Sequence, residues 1–254
     1  MSKKILTIRN LTKSYHTKNS EILAVKDFSL NIHEGEFIVI VGPSGCGKST
    51  ILSILSGLLE PSSGEIIYHS QTHPLTIGYM QQNDHLFPWR TILKNVILGL
   101  EIQGRATQEN TDKVIRQLRM YGLGKFLNSY PNQLSGGMRQ RAALIRTLAI
   151  NPDILLLDEP FSALDYQTRL AVSEDIVSIL KKEKKTVIMI THDLNEAISM
   201  ASKVVVISKR PGKIIDTFDI RLSSEGDSML QKREAPEFME YYNQIWKELD
   251  VHVE

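Results

Sequence analysis

The chain has 254 residues, of which 42% are hydrophobic and 23% are charged, so it is large and apolar enough to bury a substantial core. Its 30 basic residues nearly balance its 29 acidic ones, which argues against a nucleic-acid-binding protein that relies on a general basic field. Cys46 is the single cysteine, so no internal disulfide can form, and no apolar run approaches the roughly 18 to 20 residues that span a bilayer. Because the first residues also lack the apolar core of a signal peptide, we expect a cytosolic protein that does not cross a membrane by itself.

The first elements in chain order are predicted to be β-strands. Between residues 5 and 41, short apolar stretches are broken by polar turns, and Phe28, Leu30 and Ile32 alternate with polar residues at the period of a strand. A Pro-Ser-Ser-Gly turn precedes another short strand at 65–68, and a further strand is expected around 77–80.

A glycine-rich loop directly follows the apolar run 37–41. Its residues fit the phosphate-binding pattern G-x-x-x-x-G-K-[ST], and they are Gly42, Pro43, Ser44, Gly45, Cys46, Gly47, Lys48, Ser49 and Thr50. Glycines let the backbone turn around an anion, and N–H groups at the start of the next helix can donate to phosphate oxygens. Lys48 would add charge for the outer phosphates and Ser49 a hydroxyl for Mg²⁺. A chance glycine-rich turn is the alternative, but the strand–loop–helix context favours a nucleotide site.

The middle of the chain changes to a helical period. Ile92, Val96 and Leu100 are spaced by four residues between 91 and 124, which predicts an inserted helical sub-domain. Three later apolar runs are too short for helices and do not alternate, so we predict central parallel strands buried on both faces at 154–157, 187–190 and 204–207. Strands that alternate with helices indicate an α/β fold. Near the end of the chain, Phe238, Tyr242, Ile245 and Leu249 predict an amphipathic helix that packs onto its own domain.

Two adjacent carboxylates follow the predicted strand 154–157. Asp158 would hold Mg²⁺ beside Ser49, while Glu159 would orient and deprotonate a water that attacks the γ-phosphate. Solvation of a strand end is the alternative explanation for such a pair. The phosphate loop elsewhere in the chain favours the catalytic interpretation.

A second predicted anion-binding helix start comprises Ser135, Gly136 and Gly137. The glycines permit close approach of the backbone, and the Ser135 hydroxyl can donate to a phosphate. An isolated Ser-Gly-Gly is usually a turn. What is informative is that one chain carries two such helix starts but only one lysine-bearing loop.

Taken in order, these motifs resemble those of the ATP-binding subunit of an ABC transporter over roughly residues 5–220. The resemblance implies an α/β P-loop NTPase core, with a mixed, largely parallel sheet and helices, an antiparallel β sub-domain, and an inserted α-helical sub-domain at about 88–150. Residues 221–254 would form a C-terminal helical tail packed on this ABC ATPase cassette. The family's remaining motif positions fall on the adenine-stacking Tyr15, the glutamine-loop Gln82, the signature 134–140, the D-loop 162–165 with Asp165, and the switch histidine His192.

The resemblance also implies roles for these residues. Glu159, His192, Gln82 and Lys48 would be catalytic, and Gln82 would join Ser49 and Asp158 as a Mg²⁺ ligand. His192 would contact the γ-phosphate, and the segment after it, 193–196, resembles a capping box for the next helix. ATP and Mg²⁺ are the expected cofactors. We predict no transition metal, because the pair His69 and His73 lies beside Pro74 in turn-like sequence.

The family also implies partners. Two copies would pack head to tail, so that the signature of one completes the phosphate site of the other, and permease subunits would lie against them at the cytoplasmic face of the membrane. Segments 86–92, 159–165 and 209–214 are similar to the nitrate, sulfonate and taurine importer group, which also handles pyrimidine precursors. The short polar stretch 69–74 departs from that group. An extracytoplasmic solute-binding protein would then act indirectly, and no nucleic acid is expected.

Two questions stay open at the level of sequence. The aromatic pair Phe87 and Trp89 either contacts the membrane partner or packs in the core. A soluble ABC ATPase that remodels a macromolecule, or the ATPase of an exporter, is the alternative to an importer. The absence of a coiled coil and of a second cassette favours the importer.

Overall fold

The computed structural model describes residues 3–16, 20–70, 74–162, 164–183, 185–224, 226 and 228–251. The chain divides into a first unit, Met1–Leu75 with Lys185–Glu254, and a second unit, Thr76–Lys184. The strands in the described residues are β1 (Lys4–His16), β2 (Glu21–His33), β3 (Phe37–Val41), β4 (Ser63–Tyr68), β5 (Ile77–Met80), β6 (Ile154–Asp158), β7 (Thr186–Ile190), β8 (Lys203–Ile207) and β9 (Ile214–Asp219). The α-helices are α1 (Lys48–Leu55), α2 (Ile92–Val96), α3 (Leu98–Ile102), α4 (Gln108–Met120), α5 (Gly136–Ala149), α6 (Tyr166–Lys182), α7 (Leu194–Met200), α8 (Met229–Arg233) and α9 (Pro236–Val251).

The first unit contains an antiparallel sheet in the order β2-β1-β4. Leu6 of β1 lies opposite Ile32 of β2, and Ile8 of β1 lies opposite Ile66 of β4. Phe28 and Ile32 are fully buried, as the period of two predicts for one face of such a strand. The predicted antiparallel β sub-domain is confirmed.

The first unit also contains parallel strands. β3 lies between β7 and β8 and runs parallel to both, whereas β9 is antiparallel to β8. β3, β7 and β8 are almost entirely buried, which explains why their sequences are apolar without alternation. The predicted mixed, largely parallel sheet is confirmed, although β9 was not among the predicted strands. Its half-exposed pattern provides neither an apolar run nor a clean alternation.

The second unit combines a parallel strand pair with helices. β5 and β6 pair from Ile77 opposite Ile154 to Met80 opposite Leu157. The predicted helical stretch 91–124 contains three separate helices, α2, α3 and α4, and not one long helix. Their apolar faces form a core with α5, in which the fully buried members include Ile92, Val96 and Leu118.

The C-terminal helix α9 belongs to the first unit and packs against α7, β8 and β9. Its predicted apolar face includes Phe238 and Ile245, which are buried, and the Tyr241 hydroxyl donates to the Asp219 carbonyl oxygen at 3.0 Å. Neither α9 nor any other helix in the described part of the chain is long and apolar enough to cross a membrane.

Candidate nucleotide site

The phosphate loop begins where the buried strand β3 ends, and it leads into α1. Gly47, the residue before the helix, has a φ of +103°, and a Cβ placed on it would lie 2.8 Å from the Ala24 carbonyl oxygen. Glycine meets both demands, because other residues rarely adopt that φ and the neighbouring backbone leaves no room. Since Gly47 has no side-chain oxygen to cap α1, the helix start suits an external acceptor such as a phosphate.

Lys48 lies inside this loop with only 7% of its surface exposed. Its Nζ donates to the carbonyl oxygens of Gly42 at 2.7 Å and Pro43 at 2.8 Å. These bonds place a positive charge among the backbone atoms that the motif assigns to phosphate binding. The Lys48 ammonium therefore stabilises the conformation of the loop through these hydrogen bonds, and its full positive charge attracts an anion to the loop.

Cys46 is buried in the same loop, and its Sγ lies 3.8 Å from Lys48 Nζ. Burial raises the pKa of the Cys46 thiol, and the Lys48 ammonium opposes that shift only in part. The thiolate is the reactive form of cysteine, so a buried neutral thiol reacts slowly. Alkylation of Cys46, which is expected to block ATP binding, should thus be slow in the folded protein.

Tyr15 lies near the end of β1, opposite Ile22 of β2, and its ring is exposed. Its hydroxyl lies 3.3 Å from Thr50 Oγ1, so the structure brings the predicted adenine-stacking ring to the end of the phosphate loop. Lys13 Nζ lies 5.5 Å from the ring centroid, within cation–π distance. The sequence reasoning missed Lys13, although residues two apart on a strand share a face.

His192 follows β7, which is the parallel neighbour of β3. The phosphate loop follows the carboxyl end of β3, so both segments leave the same edge of the sheet, where ligands of open α/β sheets bind. The predicted capping box after His192 is only partly present. Asp193 caps α7 by accepting from the N–H groups of Asn195 and Glu196, but the Glu196 carboxylate accepts from the Thr191 hydroxyl at 2.7 Å.

In the second unit, Asp158 and Glu159 occupy the end of β6. Asp158 is 8% exposed, and its Oδ2 accepts a hydrogen bond from the Tyr79 hydroxyl at 3.2 Å. Glu159 has a φ of +44°, in the left-handed region that costs a residue with a Cβ roughly 1–2 kcal/mol. Such backbone strain is typical of functional positions, where surrounding structure maintains it.

Ser162 connects the turn at Glu159 to the predicted glutamine loop. Both the backbone N–H and the hydroxyl of Ser162 donate to the Glu159 carbonyl oxygen, at 3.2 and 3.0 Å. Gln82 Nε2 in turn donates to Ser162 Oγ at 3.2 Å. The structure thereby links Gln82 to the strained turn of the predicted base, which the sequence alone did not indicate.

The signature segment forms the N-terminus of α5. Ser135 is the N-cap of this helix, and its Oγ accepts from the Met138 N–H at 3.3 Å. Gly136 and Gly137 form the first turn. As the pattern predicts, Ser135 starts a helix; its use for a phosphate stays a prediction.

Two arginines connect α5 to the segment after Gln82: Arg139 lies within the predicted signature and Arg146 beyond it, and the sequence predicted the contacts of neither. Arg139 Nε donates to Asp84 Oδ2 at 3.1 Å, beside a cleft of about 410 Å³ that Gln82 and Gly136 also line. Arg146 donates to the carbonyl oxygens of Asp84 at 2.6 Å and His85 at 2.7 Å. Burial lowers the pKa of the Arg146 guanidinium, and the charge of Asp84 opposes this shift.

The D-loop residue Asp165 lies at the start of α6. Its Oδ1 accepts from the Thr168 N–H at 3.1 Å, and hydrogen bonds from the side chain and backbone of Thr168 lower the pKa of the Asp165 carboxyl. Ala163 of the same motif lies outside the described residues. In this structure Asp165 acts as a helix cap, and its place in a nucleotide site stays a prediction.

The aromatic pair after Gln82 does not pack in the core. Phe87 is 36% exposed and Trp89 is 70% exposed, with ring centroids 5.0 Å apart. The buried Asn95 holds this loop, because its Oδ1 accepts from the Phe87 N–H at 2.7 Å and its Nδ2 lies within 3.0–3.1 Å of the carbonyl oxygens of Phe87, Arg90 and Thr91. Core packing is therefore the wrong explanation for Trp89.

Of the two histidines considered for a metal site, the structure describes His69. His69 Nε2 lies 2.9 Å from Thr7 Oγ1, and His73 lies outside the described residues. Across the described ranges, no group of three or more His, Cys, Asp or Glu side chains gathers as metal ligands do. Whether the protein uses a transition metal is thus still a matter for prediction.

Comparisons with known proteins show the family of the chain and its fold. Residues 25–162 match the model of a family described as ABC transporter. YtlC, an ABC transporter ATP-binding protein of Bacillus subtilis, is 43% identical over 96% of this chain and 95% of its own. The nitrate import ATP-binding protein NrtD of Synechocystis sp. is 39% identical over 94% of this chain and 93% of its own. The taurine import ATP-binding protein TauB of Rhizobium johnstonii is 41% identical over 87% of each chain.

A solved structure has a similar fold. It is the dimeric structure of a post-hydrolysis state of an ATP-binding cassette bound to ADP and Pi. The two chains are 35% identical with a TM-score of 0.72, and the similarity covers 85% of this chain and 99% of the other.

Proposed function

The chain belongs to the ABC transporter family, and from this premise we propose that it energises an importer of a small solute through a partner permease. Its fold is that of an ABC ATPase cassette, and it is an ABC-type ATPase, the ATP-hydrolysing subunit of an ABC transporter. The observation that carries the importer proposal is the identity of about 40%, over nearly the whole chain, with ATP-binding proteins of nitrate and taurine import.

ATP would bind to the phosphate loop of the first unit. The Lys48 ammonium and the N–H groups at the start of α1 are the donors for phosphate oxygens, and Tyr15 stacks on the adenine. Because a stacked ring requires no fixed hydrogen-bond pattern, the phosphates provide most of the specificity for a nucleoside triphosphate.

Mg²⁺ would be held by Ser49, Asp158 and Gln82. Asp158 is a buried carboxylate at a strand end, and together with a hydroxyl and an amide it provides the hard oxygen ligands that Mg²⁺ prefers. One carboxylate suffices, since Mg²⁺ usually retains waters and substrate phosphate oxygens as its other ligands. When bound, the ion neutralises charge on the phosphates.

Hydrolysis would depend on Glu159 and His192. The Glu159 carboxylate accepts a proton from a water as that water attacks the γ-phosphate in line, and His192 contacts the γ-phosphate and holds the same water. The left-handed turn at Glu159, tied to Gln82 through Ser162, fixes where the carboxylate projects.

The cassette would act as a dimer with a second copy of itself. In a head-to-tail pair, Ser135, Gly136 and Gly137 of one copy bind the γ-phosphate held by the phosphate loop of the other, and Asp165 lies near the same interface. Twofold symmetry makes this exchange reciprocal. ATP then favours the closed dimer and hydrolysis releases it, since only the triphosphate binds both halves. A related cassette of 35% identity was solved as a dimer, which supports this arrangement.

Closure would be passed to the permease through the exposed pair Phe87 and Trp89. An aromatic pair on a loop held by the buried Asn95 suits a socket for a partner segment, because aromatic side chains anchor interfaces. The protein would accordingly lie at the cytoplasmic face of the membrane as a peripheral subunit. It would be linked only indirectly to an extracytoplasmic solute-binding protein, and it would bind no nucleic acid.

The catalytic part of the proposal is tested by Glu159→Gln. Glutamine keeps the size of the side chain but cannot accept the proton, so phosphate release should fall about 100-fold or more while ATP binding persists. Size-exclusion chromatography with ATP should then detect a trapped dimer. The exposed Glu234 provides a matched control, Glu234→Gln, which should hydrolyse ATP like the unaltered protein. Undiminished hydrolysis by Glu159→Gln would remove Glu159 from this role.

The solute is tested on the companion solute-binding protein. The test is a thermal-shift titration of that protein with nitrate, taurine, an alkanesulfonate and a pyrimidine precursor. One of these solutes should bind and raise its melting temperature. Uptake into vesicles that contain the permease should then require both ATP and this chain. Efflux of solute, or a cassette that functions without any permease, would contradict the importer.

A further inference from the structure

The turn after β8, residues 208–213, is a small closed structure. The Ser208 N–H donates to the Lys213 carbonyl oxygen at 2.9 Å. The Ser208 hydroxyl donates to the Pro211 carbonyl oxygen at 2.9 Å and accepts from the Lys213 N–H at 3.0 Å. These three bonds hold the turn in one conformation, so the backbone positions from which its outward-facing side chains extend are fixed.

This turn is attached to β2. The Gly212 N–H donates to the Ala24 carbonyl oxygen at 2.9 Å, and the Lys26 N–H donates to the Gly212 carbonyl oxygen at 3.0 Å. A parallel bridge between Val25 and Gly212 results. The turn is therefore hydrogen-bonded to the same segment of β2 that leaves no room for a side chain at Gly47 of the phosphate loop.

The turn also lies directly against the phosphate loop. A Cβ placed on Gly212 would clash with the Cys46 carbonyl oxygen, so no side chain fits at this position. The two backbones can approach this closely because residue 212 is glycine. The 208–213 turn thus forms one wall of the loop.

Arg210 reaches from this wall to the loop. Its Nε and Nη2 both donate to the Gly45 carbonyl oxygen, at 3.2 and 3.0 Å. Gly45 itself is in the left-handed region, with a φ of +73°. In a trans peptide the C=O and the following N–H point in opposite directions. Fixing the Gly45 carbonyl therefore also fixes the direction of the Cys46 N–H.

We propose that Arg210 is a positioning residue of the nucleotide site, which orders the phosphate loop at Gly45 and so strengthens binding of nucleoside di- and triphosphates. This rests on the proposed binding of ATP by the loop. A loop that is already ordered loses less conformational freedom when the ligand binds, and the affinity rises accordingly. The exposed guanidinium also adds a positive charge at the loop, but that part is screened by salt.

The test separates geometry from charge. Arg210→Ala, made in the Glu159→Gln background so that ATP persists, should weaken binding of Mg-ATP about 3- to 10-fold in calorimetric titrations, as expected for loss of an exposed charge-assisted pair of hydrogen bonds. Arg210→Lys keeps the charge but lacks the pair of N–H groups that donate to the Gly45 carbonyl oxygen. It should therefore recover less than half of the lost affinity for Mg-ATP. Lys209→Ala, an exposed lysine of the same turn, is the control for charge and should bind like the parent.

A second readout reports order directly. In the nucleotide-free protein, Arg210→Ala should increase amide hydrogen exchange of a peptide that spans residues 44–47, whereas Lys209→Ala should not. In steady-state assays with an intact Glu159, the effect should lie mainly in the KM for ATP, with a smaller effect on kcat. Binding of AMP should be weak and similar in all variants, because AMP lacks the outer phosphates.

Three outcomes would overturn the proposal: unchanged affinity in Arg210→Ala, full recovery by Arg210→Lys, or unchanged exchange at 44–47. The first two differ in meaning, since full recovery by lysine would leave only a charge effect. Lys48→Ala distinguishes this failure from failure of the proposed function. If Lys48→Ala abolishes ATP binding while Arg210→Ala does not affect it, the site stands and the role of Arg210 is wrong. If neither substitution affects binding, the nucleotide site itself is misplaced.

Discussion

Replacing Asn95 by alanine is expected to loosen the loop that carries Phe87 and Trp89. The Asn95 side chain is fully buried, accepts from the Phe87 N–H, and offers two amide hydrogens to three neighbouring carbonyl oxygens. Three hydrogen bonds are therefore lost, at a net cost of about 1 kcal/mol each. The predicted destabilisation is about 3 kcal/mol, and it affects the loop and α2, which these hydrogen bonds join.

The assay uses the tryptophans as reporters. The chain has two, Trp89 and Trp246, so Trp246→Phe leaves Trp89 as the single reporter. In that background, Asn95→Ala should lower the urea midpoint of the Trp89 fluorescence transition and lower the anisotropy of Trp89 in the native protein. Asn110→Ala is the matched control, because the Asn110 side chain donates one hydrogen bond, to the Arg105 carbonyl oxygen. If both substitutions lower the midpoint equally, the reasoning about Asn95 is refuted.

Two further predictions concern the exposed aromatic pair and the buried thiol. Phe87→Ala combined with Trp89→Ala should uncouple transport in vesicles while ATP hydrolysis by the isolated protein stays unchanged; a loss of folding, measured by circular dichroism, would contradict a partner surface. Because burial raises the pKa of Cys46, iodoacetamide should react with it more slowly than with the unfolded chain, and its rate should still rise with pH where an ordinary thiol is already ionised. Saturating Mg-ATP should slow the reaction further, and equal rates with and without the nucleotide would show that Cys46 lies outside the site.

The raised pKa of the Cys46 thiol also predicts the direction in which the free energy of unfolding changes with pH. The neutral form is favoured in the folded protein, so the contribution of Cys46 is complete below the pKa of the unfolded thiol and is lost as the pH rises through the folded value. Cys46→Ser should reduce the pH dependence of the unfolding free energy in the alkaline range. Near neutral pH the substitution should leave the pH dependence unchanged, because the thiol is neutral there in both states.

Local patterns in the sequence predicted the elements that local physics determines. The phosphate loop, the buried runs of β6, β7 and β8, and the helix start at Ser135 each depend on a few consecutive residues, and each is where the sequence places it. The left-handed φ of Glu159 was not predictable in this way, because nothing in a Glu-Pro pair demands it. It is set by neighbours, among them Ser162, that satisfy its carbonyl oxygen.

The contacts between segments that are distant along the chain could likewise not be predicted from the sequence. Arg146 is 62 residues from Asp84 along the chain, and Arg210 is 165 residues from Gly45. No periodicity or motif spacing encodes such a pair, since an arginine at either position is also compatible with an ordinary exposed helix or turn. The segment 209–214 is similar to importer relatives in sequence, but that similarity does not predict the close approach of Gly212 to Cys46.

The arginine network of the second unit bears on how the proposed dimer would work. In the proposed dimer, Gln82 would contact the nucleotide of its own chain, whereas Ser135 would contact the nucleotide of the other copy. Arg139 joins Asp84, two residues after Gln82, to the first turn of the helix that Ser135 caps. A displacement of Gln82 that also moves Asp84 would strain the Arg139 ion pair and the two Arg146 hydrogen bonds, and would therefore act on α5. In the proposed dimer, these charged hydrogen bonds would be the direct contact between the segment after Gln82 and the helix that begins at Ser135.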